Sequence, residues 1–134
     1  NNVYLLPKQI DTQELLYITD LLITDYSSCY IDFLHTLRPI VFYPYDLEEY
    51  KAHDRELFFD YYDPIITPGD KVNNEVNLAE TVLRYLKEPE LGLEKRKRSL
   101  DFFHTYQDGK ASQRVYKAIN MILENKMKKR NVYV

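Results

Sequence analysis

Short apolar runs alternate with segments of helical spacing along this chain, and this alternation restricts the fold more than any other feature. DLLIT (20–24) and IVFY (40–43) have the length and composition of buried strands, and SSCYIDFLHTL between them has helical periodicity. VYLLP (3–7) and PIIT (64–67) are predicted as two further strands. Strands that alternate with helices pair in parallel through right-handed crossovers. The sequence therefore predicts an α/β fold, with a Rossmann-like parallel sheet and helices on both faces.

Capping residues predict where the helices begin. Asp11 and Glu14 have capping-box spacing before a short helix, and Asn77 and Glu80 repeat that spacing before a longer helix that ends at Pro89. DLEEY is predicted to form one or two helical turns. The buried face predicted for the longer helix consists of Leu78, Val82, Tyr85 and Leu86.

Two more helices are predicted in the remainder of the chain. One spans roughly Leu91 to Tyr106 and carries the basic run 95–98, predicted as an exposed face, and the other starts near Ala111 and ends in KMKKR. The basic run and KMKKR are candidates for contact with anionic lipid headgroups. The apolar stripe predicted for the last helix consists of Val115, Ala118, Ile119, Ile122 and Leu123.

Composition excludes several classes of protein. The 134 residues are enough for one domain, so a single Rossmann-like domain is predicted over 1–134. A net charge of −3 argues against nucleic-acid binding, and the single cysteine, Cys29, cannot form an internal disulfide. Neither the dinucleotide fingerprint nor the P-loop occurs, so any bound phosphate is held by other means. Because the chain begins with Asn1 rather than Met, a processed chain or a piece of a longer protein is expected.

The segment TDYSS (24–28) connects a predicted strand to a predicted helix. This places it at the carboxyl end of a parallel strand, where open α/β sheets bind ligands. The first N–H groups of a helix are unpaired, and the hydroxyls of Ser27 and Ser28 can donate to phosphate oxygens beside them. Serine also commonly caps helices. Both interpretations are open on this chemistry, and capping is the more common role.

A second candidate for anion binding is DGKAS (108–112), where a turn opens the last helix with a Lys and a Ser. The alternative is an ordinary turn, in which Gly supplies a positive φ and Ser caps the helix. The histidines, at 35, 53 and 104, lack metal-ligand spacing, so no metal site is predicted. DYYD (60–63) is predicted as a solvated turn, and Cys29 as a buried, inert thiol.

Four segments, in order, resemble the CDP-glycerol glycerophosphotransferase family, the teichoic-acid polymerases and primases. DLLITDYSSCYIDF resembles the family's strand–TDYSS–helix segment, and RPIVFYPYDLEEY resembles its next strand with the D-L-E-x-Y continuation. RELFFDYYD is similar to the family's R-G-F-Y-F-D-Y segment, and DGKASQRV to its D-G-K-A-S-x-R-V element. The resemblance extends over roughly residues 3–124 and favours phosphate binding at both candidate segments.

The resemblance implies a GT-B architecture of two Rossmann-like domains, in which this chain is the C-terminal, donor-binding part and the N-terminal domain is missing. The implied reaction moves glycerol phosphate, or ribitol phosphate, from CDP-glycerol or a related CDP-alditol to a polymer or lipid-linked acceptor in cell-wall synthesis. CMP leaves. No cofactor is implied with certainty, and a need for Mg²⁺ is left open. The lipid-linked acceptors imply a cytoplasmic location, peripheral at the inner face of the cell membrane.

The family's motifs transfer to this chain position by position. Arg55 would supply a fixed positive charge, and Asp32 would orient a neighbouring group. The residues implied to contact the donor phosphates, or to close the same pocket, are Asp25, Tyr26, Ser27, Ser28, Asp108, Gly109, Lys110, Ala111 and Ser112.

Two departures from the family limit this transfer. The family's H-G-T and R-x-H motifs, which hold its expected catalytic histidines, lie upstream of the matched stretch and do not occur here, so no catalytic base is assigned. Glu56 stands where the family usually has Gly, and PIITPGDKVNN is looser than the family's P-G-P element, so alditol recognition is not assigned. Two alternatives are therefore kept: half of another GT-B enzyme with a nucleotide-sugar donor, and a non-catalytic interaction module with the same fold.

Overall fold

A computed structural model describes residues 3–53 and 59–130 of the chain. The chain divides into two compact units, Asn1–Phe103 and His104–Val134. The prediction of one Rossmann-like domain over all 134 residues stays a prediction.

The first unit contains a three-stranded parallel sheet in the order β1-β2-β3. Its register pairs Leu22 with Ile40 and Val41 with Asp70. The elements are α1 (Thr12–Ile18), β1 (Leu22–Thr24), α2 (Cys29–Phe33) with a 3-10 turn (Leu34–Thr36), β2 (Ile40–Phe42), α3 (Leu47–His53), β3 (Asp70–Lys71), α4 (Glu75–Lys87) and α5 (Leu93–Phe103). The predicted α/β class and parallel pairing are confirmed.

Helices cover both faces of the sheet because strand side chains alternate between the two faces. Ile40 and Phe42 belong to the larger buried cluster, with Tyr30 and Phe33 of α2. Val41 points to the other face, where it packs against Val72, the residue after β3, and against Tyr85 of α4. The predicted burial of Tyr85 is confirmed, and Leu78 and Val82 are partly buried beside it. Leu86 is exposed, so its predicted burial is wrong.

The caps of α1 and α4 use Asp and Asn side chains. Asp11 caps α1 as predicted, and its Oδ1 accepts a hydrogen bond of 2.8 Å from the backbone N–H of Gln13. The predicted cap of α4 is wrong, because Asn74 is the N-cap and accepts a bond of 2.8 Å from the backbone N–H of Asn77. Asn77 lies inside the first turn, and α4 begins earlier than the capping-box spacing indicated.

Two of the predicted strands are wrong. Residues 3–7 form no strand, and the side chains of Val3, Tyr4 and Leu5 are exposed, so apolar composition alone did not give them a pairing partner. Residues 64–67 form a turn, in which the backbone N–H of Thr67 donates to the carbonyl of Asp63 at 2.9 Å. The third strand follows the Pro68-Gly69 turn instead, where Gly69 lets the chain approach β2 closely.

Arg96 is buried, which contradicts the predicted exposure of the whole basic run 95–98. Its guanidinium donates hydrogen bonds to the carbonyls of Leu37 at 2.8 Å, Leu91 at 2.6 Å and Pro89 at 2.7 Å. Three carbonyl acceptors replace the water that a guanidinium loses on burial. Burial lowers the pKa of Arg96. Arg96 therefore ties α5 to the end of the 3-10 turn and to the segment after α4.

The second unit contains α6 (Ala111–Arg130), which starts at the predicted residue. The residues of the predicted apolar stripe lie along this helix, and every one of them is exposed. The periodicity of the sequence predicts that the helix is amphipathic, but it does not indicate whether the apolar side is buried.

Candidate functional site

The segment TDYSS forms the turn between β1 and α2, as predicted. Thr24 ends β1, and its carbonyl accepts a hydrogen bond of 2.7 Å from the backbone N–H of Tyr43, the residue after β2. Thr24, Phe42 and Lys71 are aligned across the sheet by its register. The turn of residues 25–28 therefore lies at the carboxyl edge of the sheet, where ligands bind in this class of fold.

The side chain of Asp25 shapes the turn. Its Oδ1 accepts a hydrogen bond of 2.7 Å from the backbone N–H of Ser27, a bond two residues along the chain that is typical of an Asx-turn. Asp25 is thus engaged with the chain's own backbone and is placed to hold the turn, while Ser27 and Ser28 are exposed.

The hydroxyls of Ser27 and Ser28 are the groups of the turn best placed to meet a ligand. Both side chains are exposed, and within residues 3–53 and 59–130 neither has a hydrogen-bond partner. Ser28 occupies the N-cap position of α2, but its side chain makes no cap bond. The capping interpretation is therefore not supported, and both hydroxyls are available to donate.

Tyr26 is anchored on both sides by residues that follow β2. Its hydroxyl donates to the carboxylate of Asp46, 3.4 Å from Oδ1 and 3.3 Å from Oδ2. Its ring stacks on the ring of Tyr50, with centroids 4.0 Å apart. Burial, together with the nearby carboxylates of Asp46 and Asp25, raises the pKa of Tyr26 to about 12. Tyr26 is therefore a neutral donor at physiological pH.

Tyr61 contacts the same turn from a segment that lies 36 positions later in the chain. Its side chain is only 2% exposed, and its hydroxyl donates a hydrogen bond of 2.9 Å to the backbone carbonyl of Asp25. The hydroxyl of Thr67 donates to the carbonyl of Tyr61, and the ring of Tyr61 packs edge-on against Phe42, with centroids 5.9 Å apart. DYYD is a turn as predicted, but it also places a buried tyrosine under the candidate site.

Lys71 lies beneath these aromatic rings. Its Nζ donates a hydrogen bond of 2.9 Å to the carbonyl of Thr67 and lies 5.5 Å from the ring centroid of Phe42 and 5.9 Å from that of Tyr61. Burial lowers the pKa of Lys71. This ammonium adds a positive charge close to the carboxyl edge, and sequence analysis did not single it out.

A cleft of about 430 Å³ lies on the carboxyl side of β2 and β3. This volume lies within the range of about 300–1,000 Å³ that is typical of small-molecule sites. Asp46, which holds Tyr26, is also part of its wall. The other lining residues are Pro44, Tyr45, Leu47, Glu48, Glu49, Tyr62 and Asn73. A larger cleft, of about 610 Å³, includes Asp20 and Pro39, which precede β1 and β2 and therefore mark the opposite edge of the sheet.

Two single positions complete the list of predicted site residues in the first unit. Asp32 is exposed on α2, and its Oδ2 accepts a hydrogen bond of 3.0 Å from the side-chain amide of Gln13 on α1. This bond links α2 to α1, and the predicted role of Asp32 at the donor site stays a prediction. Arg55 lies outside the described residues.

The second unit holds the other candidate segment, residues 108–112. Arg114 donates to both carboxylate oxygens of Asp108 at 2.9 Å, and its guanidinium lies 4.0 Å from the ring centroid of Tyr106. Asp108 also accepts a bond of 3.0 Å from the backbone N–H of Lys110. The Arg114 guanidinium and then this backbone bond lower the pKa of Asp108. Asp108 is therefore a structural clamp.

The other residues of that segment, 109–112, lead into the first turn of α6. Gly109 has a φ of +66°, as the turn interpretation requires, and Ala111 is the first residue of the helix. Lys110 and Ser112 are exposed on either side of Ala111. A cation and a hydroxyl thus accompany the unpaired N–H groups of the first helical turn.

The residues that periodicity missed are those that hold the first turn in place. Asp46 and Tyr50 belong to DLEEY, and Tyr61 belongs to RELFFDYYD. Both segments resemble family motifs, but no contact with the turn 25–28 was predicted for either of them. Aromatic residues next to acidic residues in these segments could have indicated contacts with the turn. Only the fold shows that Asp46, Tyr50 and Tyr61 make them.

The described part of the chain contains no group of three or more His, Cys, Asp or Glu residues arranged to hold a metal ion. Cys29 is partly buried, with its Sγ 3.6 Å from the hydroxyl of Thr24, in place of the fully buried thiol that was predicted. Among the described helices, none is long and apolar enough to cross a membrane.

Comparison with known proteins adds to this geometry. A sequence profile of the family described as CDP-Glycerol:Poly(glycerophosphate) glycerophosphotransferase matches residues 1–121. The teichoic acid poly(ribitol-phosphate) polymerase of Bacillus spizizenii (strain W23) is 33% identical over 105 residues, which are 78% of this chain and 16% of the relative. The teichoic acid glycerol-phosphate transferase of Staphylococcus aureus is 35% identical over 109 residues, 81% of this chain and 28% of the relative.

Solved structures of the wall teichoic acid polymerase TagF share the fold. A TagF variant superposes with a TM-score of 0.70 at 30% identity, over 90% of this chain and 29% of that chain. The same variant soaked with CDPG superposes with a TM-score of 0.57 at 29% identity, over 85% of this chain and 27% of that chain. The likeness confirms the predicted fold class. This chain spans less than a third of the length of each of these relatives.

Proposed function

Because the chain belongs to the CDP-Glycerol:Poly(glycerophosphate) glycerophosphotransferase family, we propose that it is the donor-binding part of a CDP-alditol phosphotransferase. The reaction moves glycerol phosphate or ribitol phosphate from the CDP-alditol to a hydroxyl of a polymer or a lipid-linked acceptor in cell-wall synthesis. One observation carries the proposal. The turn of residues 25–28 lies at the carboxyl edge of a parallel sheet and presents two exposed hydroxyls that have no partner among the described residues.

The chemistry of the reaction explains why such a turn is useful. The acceptor oxygen attacks the phosphorus nearer the alditol, and CMP departs with the charge of the broken phosphoanhydride. Hydrogen-bond donors that are fixed before the reaction stabilise this developing charge without reorganisation. Ser27, Ser28 and the first N–H groups of α2 supply donors. The cleft of 430 Å³, whose wall includes the Asp46 that holds Tyr26, is proposed to take the nucleoside.

The second segment is proposed to contact the same donor. Lys110 brings a mobile positive charge, and Ser112 brings a hydroxyl at the start of a 20-residue helix. Arg55 is proposed to add a fixed charge, as the family motif implies. No catalytic base is assigned to this chain, and an N-terminal GT-B domain is proposed to supply it.

CDP-glycerol is the proposed donor because the family's description names it, and because a similar TagF crystal was soaked with CDPG. Relatives named for glycerol phosphate and for ribitol phosphate match this chain at similar identity. The proposal therefore covers both alditols.

We also propose that the complete enzyme is cytoplasmic and peripheral at the inner face of the cell membrane, where lipid-linked acceptors are found. The amphipathic helix α6 supports this location. Its sequence has six basic residues and one acidic residue, although the whole chain has a net charge of −3. A basic amphipathic helix suits an anionic lipid surface.

The experiment is a titration of this chain with CMP, CDP-glycerol, CDP-ribitol and UMP, followed by amide chemical shifts. Shifts centred on residues 25–28 and 108–112, larger for cytidine than for uridine ligands, are expected. A stronger response to UMP would favour the nucleotide-sugar alternative. If the longer gene product also showed no response to any of the four nucleotides, the chain would be an interaction module instead.

A further inference from the structure

We propose that Tyr61 is a positioning residue for the phosphate-binding turn, and that it directs the backbone N–H of Tyr26 outwards as an additional donor to phosphate. This inference rests on the proposed function, because it assigns a role within the same site. Tyr61 lies in RELFFDYYD, a segment that the resemblance matched without giving this residue a role, and the backbone N–H of Tyr26 is a donor that no motif indicates.

The argument begins with the hydrogen bond between the Tyr61 hydroxyl and the carbonyl of Asp25, which is 2.9 Å long. That carbonyl belongs to the peptide unit whose N–H is carried by Tyr26. In a planar trans peptide, the C=O and N–H bonds point in opposite directions. Because Tyr61 is buried and holds the carbonyl toward the core, the N–H of Tyr26 points away from the core. Within the described residues this N–H has no acceptor.

The position of the Tyr61 hydroxyl is itself fixed. The Thr67 hydroxyl donates to the backbone carbonyl of Tyr61, and the Tyr61 ring packs edge-on against Phe42 in the core. The turn therefore receives its orientation from a rigid group that is 36 residues away in sequence. On the other side, Tyr26 is held by Asp46 and by the stacked ring of Tyr50.

These contacts together arrange the donors of the turn. The Ser27 N–H is used within the turn by Asp25, so it is not offered to a ligand. The donors that stay available include the Tyr26 N–H and the hydroxyls of Ser27 and Ser28, which lie on consecutive residues of the chain. Backbone and hydroxyl donors on neighbouring residues of a turn suit a phosphate group. Tyr61 acts through this arrangement and does not need to touch the ligand.

Tyr30 offers a matched control in the same core. It is 1% exposed, and its hydroxyl is buried with no hydrogen-bond partner among the described residues. The substitutions Tyr61→Phe and Tyr30→Phe remove the same atom from rings of the same cluster. Only Tyr61→Phe removes a hydrogen bond to the turn.

The first measurement is amide hydrogen exchange and chemical shift in the ligand-free chain. Tyr61→Phe is expected to shift the Tyr26 amide and to speed exchange at residues 26–29, whereas Tyr30→Phe leaves them as in the parent chain. Equal, small effects of both variants would overturn the positioning role. Should Tyr61→Phe not fold, Thr67→Val tests the same link through the backbone of Tyr61, with the same expected change at the Tyr26 amide.

The second measurement compares affinity for CMP with affinity for cytidine, which has no phosphate. Tyr61→Phe is expected to weaken CMP binding by about fivefold to tenfold, the effect of one hydrogen bond, and to leave cytidine binding unchanged. Equal loss for CMP and cytidine would contradict a role at the phosphate. Two results together would separate the two proposals. If Tyr61→Phe loosens the turn, but neither the unsubstituted chain nor the longer gene product binds a cytidine ligand, the positioning role stands and the proposed function fails.

Discussion

The guanidinium of Arg96 donates a hydrogen bond of 2.8 Å to the carbonyl of Leu37, 59 positions earlier in the chain. Leu37 has a φ of +55° and ends the 3-10 turn after α2. The same guanidinium donates to the carbonyls of Pro89 and Leu91. One side chain of α5 therefore bonds both the loop after the 3-10 turn and the loop after α4. Arg96 thus connects α5 to the chain that follows α2 and to the chain that follows α4.

Replacing Arg96 by Met is expected to destabilise the first unit by about 3 kcal/mol or more. The substitution keeps an apolar stem but leaves three carbonyls without their donor, and each buried unsatisfied group costs about 1–3 kcal/mol. Urea unfolding measures the change. Arg98→Met, on the exposed face of the same helix, serves as the control and is expected to change stability by less than about 0.5 kcal/mol. Similar losses in the two variants would contradict the role given to Arg96.

Gly69→Ala is expected to lower the free energy of unfolding by more than about 3 kcal/mol, the upper end of the range for single substitutions. A Cβ at this position would overlap the carbonyl oxygen of Ile40 in β2, so the third strand would have to move. Gly109→Ala provides the comparison, because that Gly has a φ of +66° and no neighbour within 4 Å of a Cβ. It is expected to cost only the backbone strain of about 1–2 kcal/mol. Thermal unfolding of both variants measures the difference.

Stability is expected to fall between pH 10 and pH 12. Burial raises the pKa of Tyr30 from 10.0 to about 12, and burial with nearby carboxylates raises that of Tyr26 to about 12. A raised pKa in the folded state means that the stabilisation is complete below the unfolded value and is lost as pH rises through the folded value. Tyr30→Phe is expected to remove about 2–3 kcal/mol of this loss. Urea midpoints across this pH range, with tyrosinate absorbance, measure it; a pH-independent midpoint would be contrary evidence.

The double variant Ser27→Ala with Ser28→Ala is expected to weaken CDP-glycerol binding by at least tenfold and to leave stability unchanged. Hydrogen bonds to charged groups contribute about 1.5–3 kcal/mol each, whereas neither hydroxyl has a partner among the described residues. Calorimetric titration and thermal unfolding give the two values. Thr12→Ala removes an exposed hydroxyl from α1 and is expected to change neither. A stability loss that accompanied the weaker binding would indicate a structural role for the serines.

The chain is expected to float with vesicles that contain an anionic lipid and to remain unbound with neutral vesicles. Ile119→Asn with Ile122→Asn, on the exposed stripe of α6, is expected to abolish flotation. Val76→Asn with Leu83→Asn removes two exposed apolar residues from α4 and should not affect it. High salt is expected to weaken binding because the basic residues act through screened charges. Equal binding to neutral vesicles would exclude this electrostatic contribution.

The sequence was informative where local pattern decides structure. The strand before TDYSS, the strand at 40–42 and the start of α6 follow from apolar runs, periodicity and turn residues. The position of TDYSS at the carboxyl edge follows directly from the strand that precedes it. These features depend on neighbours in the chain, so the sequence alone carries them.

Features that depend on distant partners were missed or were wrong. The apolar run 64–67 forms a turn, while the short polar strand Asp70–Lys71 pairs with β2, because pairing depends on the surroundings and not on composition. Arg96 is hidden within a run of four basic residues, and only its three carbonyl partners explain its burial. The contacts of Tyr26 and Tyr61 join three segments of the chain, and no periodicity reports such contacts.

The length of the loop that Arg96 closes has a consequence for the order of folding. The parallel pair β1-β2 joins residues that are close in sequence, so it can form early at a small loss of chain entropy. The bond between Arg96 and Leu37 closes a longer loop of 59 positions, so we expect it to form later than the strand pair. An interaction completed after the folding barrier slows unfolding without speeding folding. We therefore expect Arg96 to prolong the lifetime of the folded unit, so that Arg96→Met folds at a similar rate and unfolds faster in stopped-flow measurements.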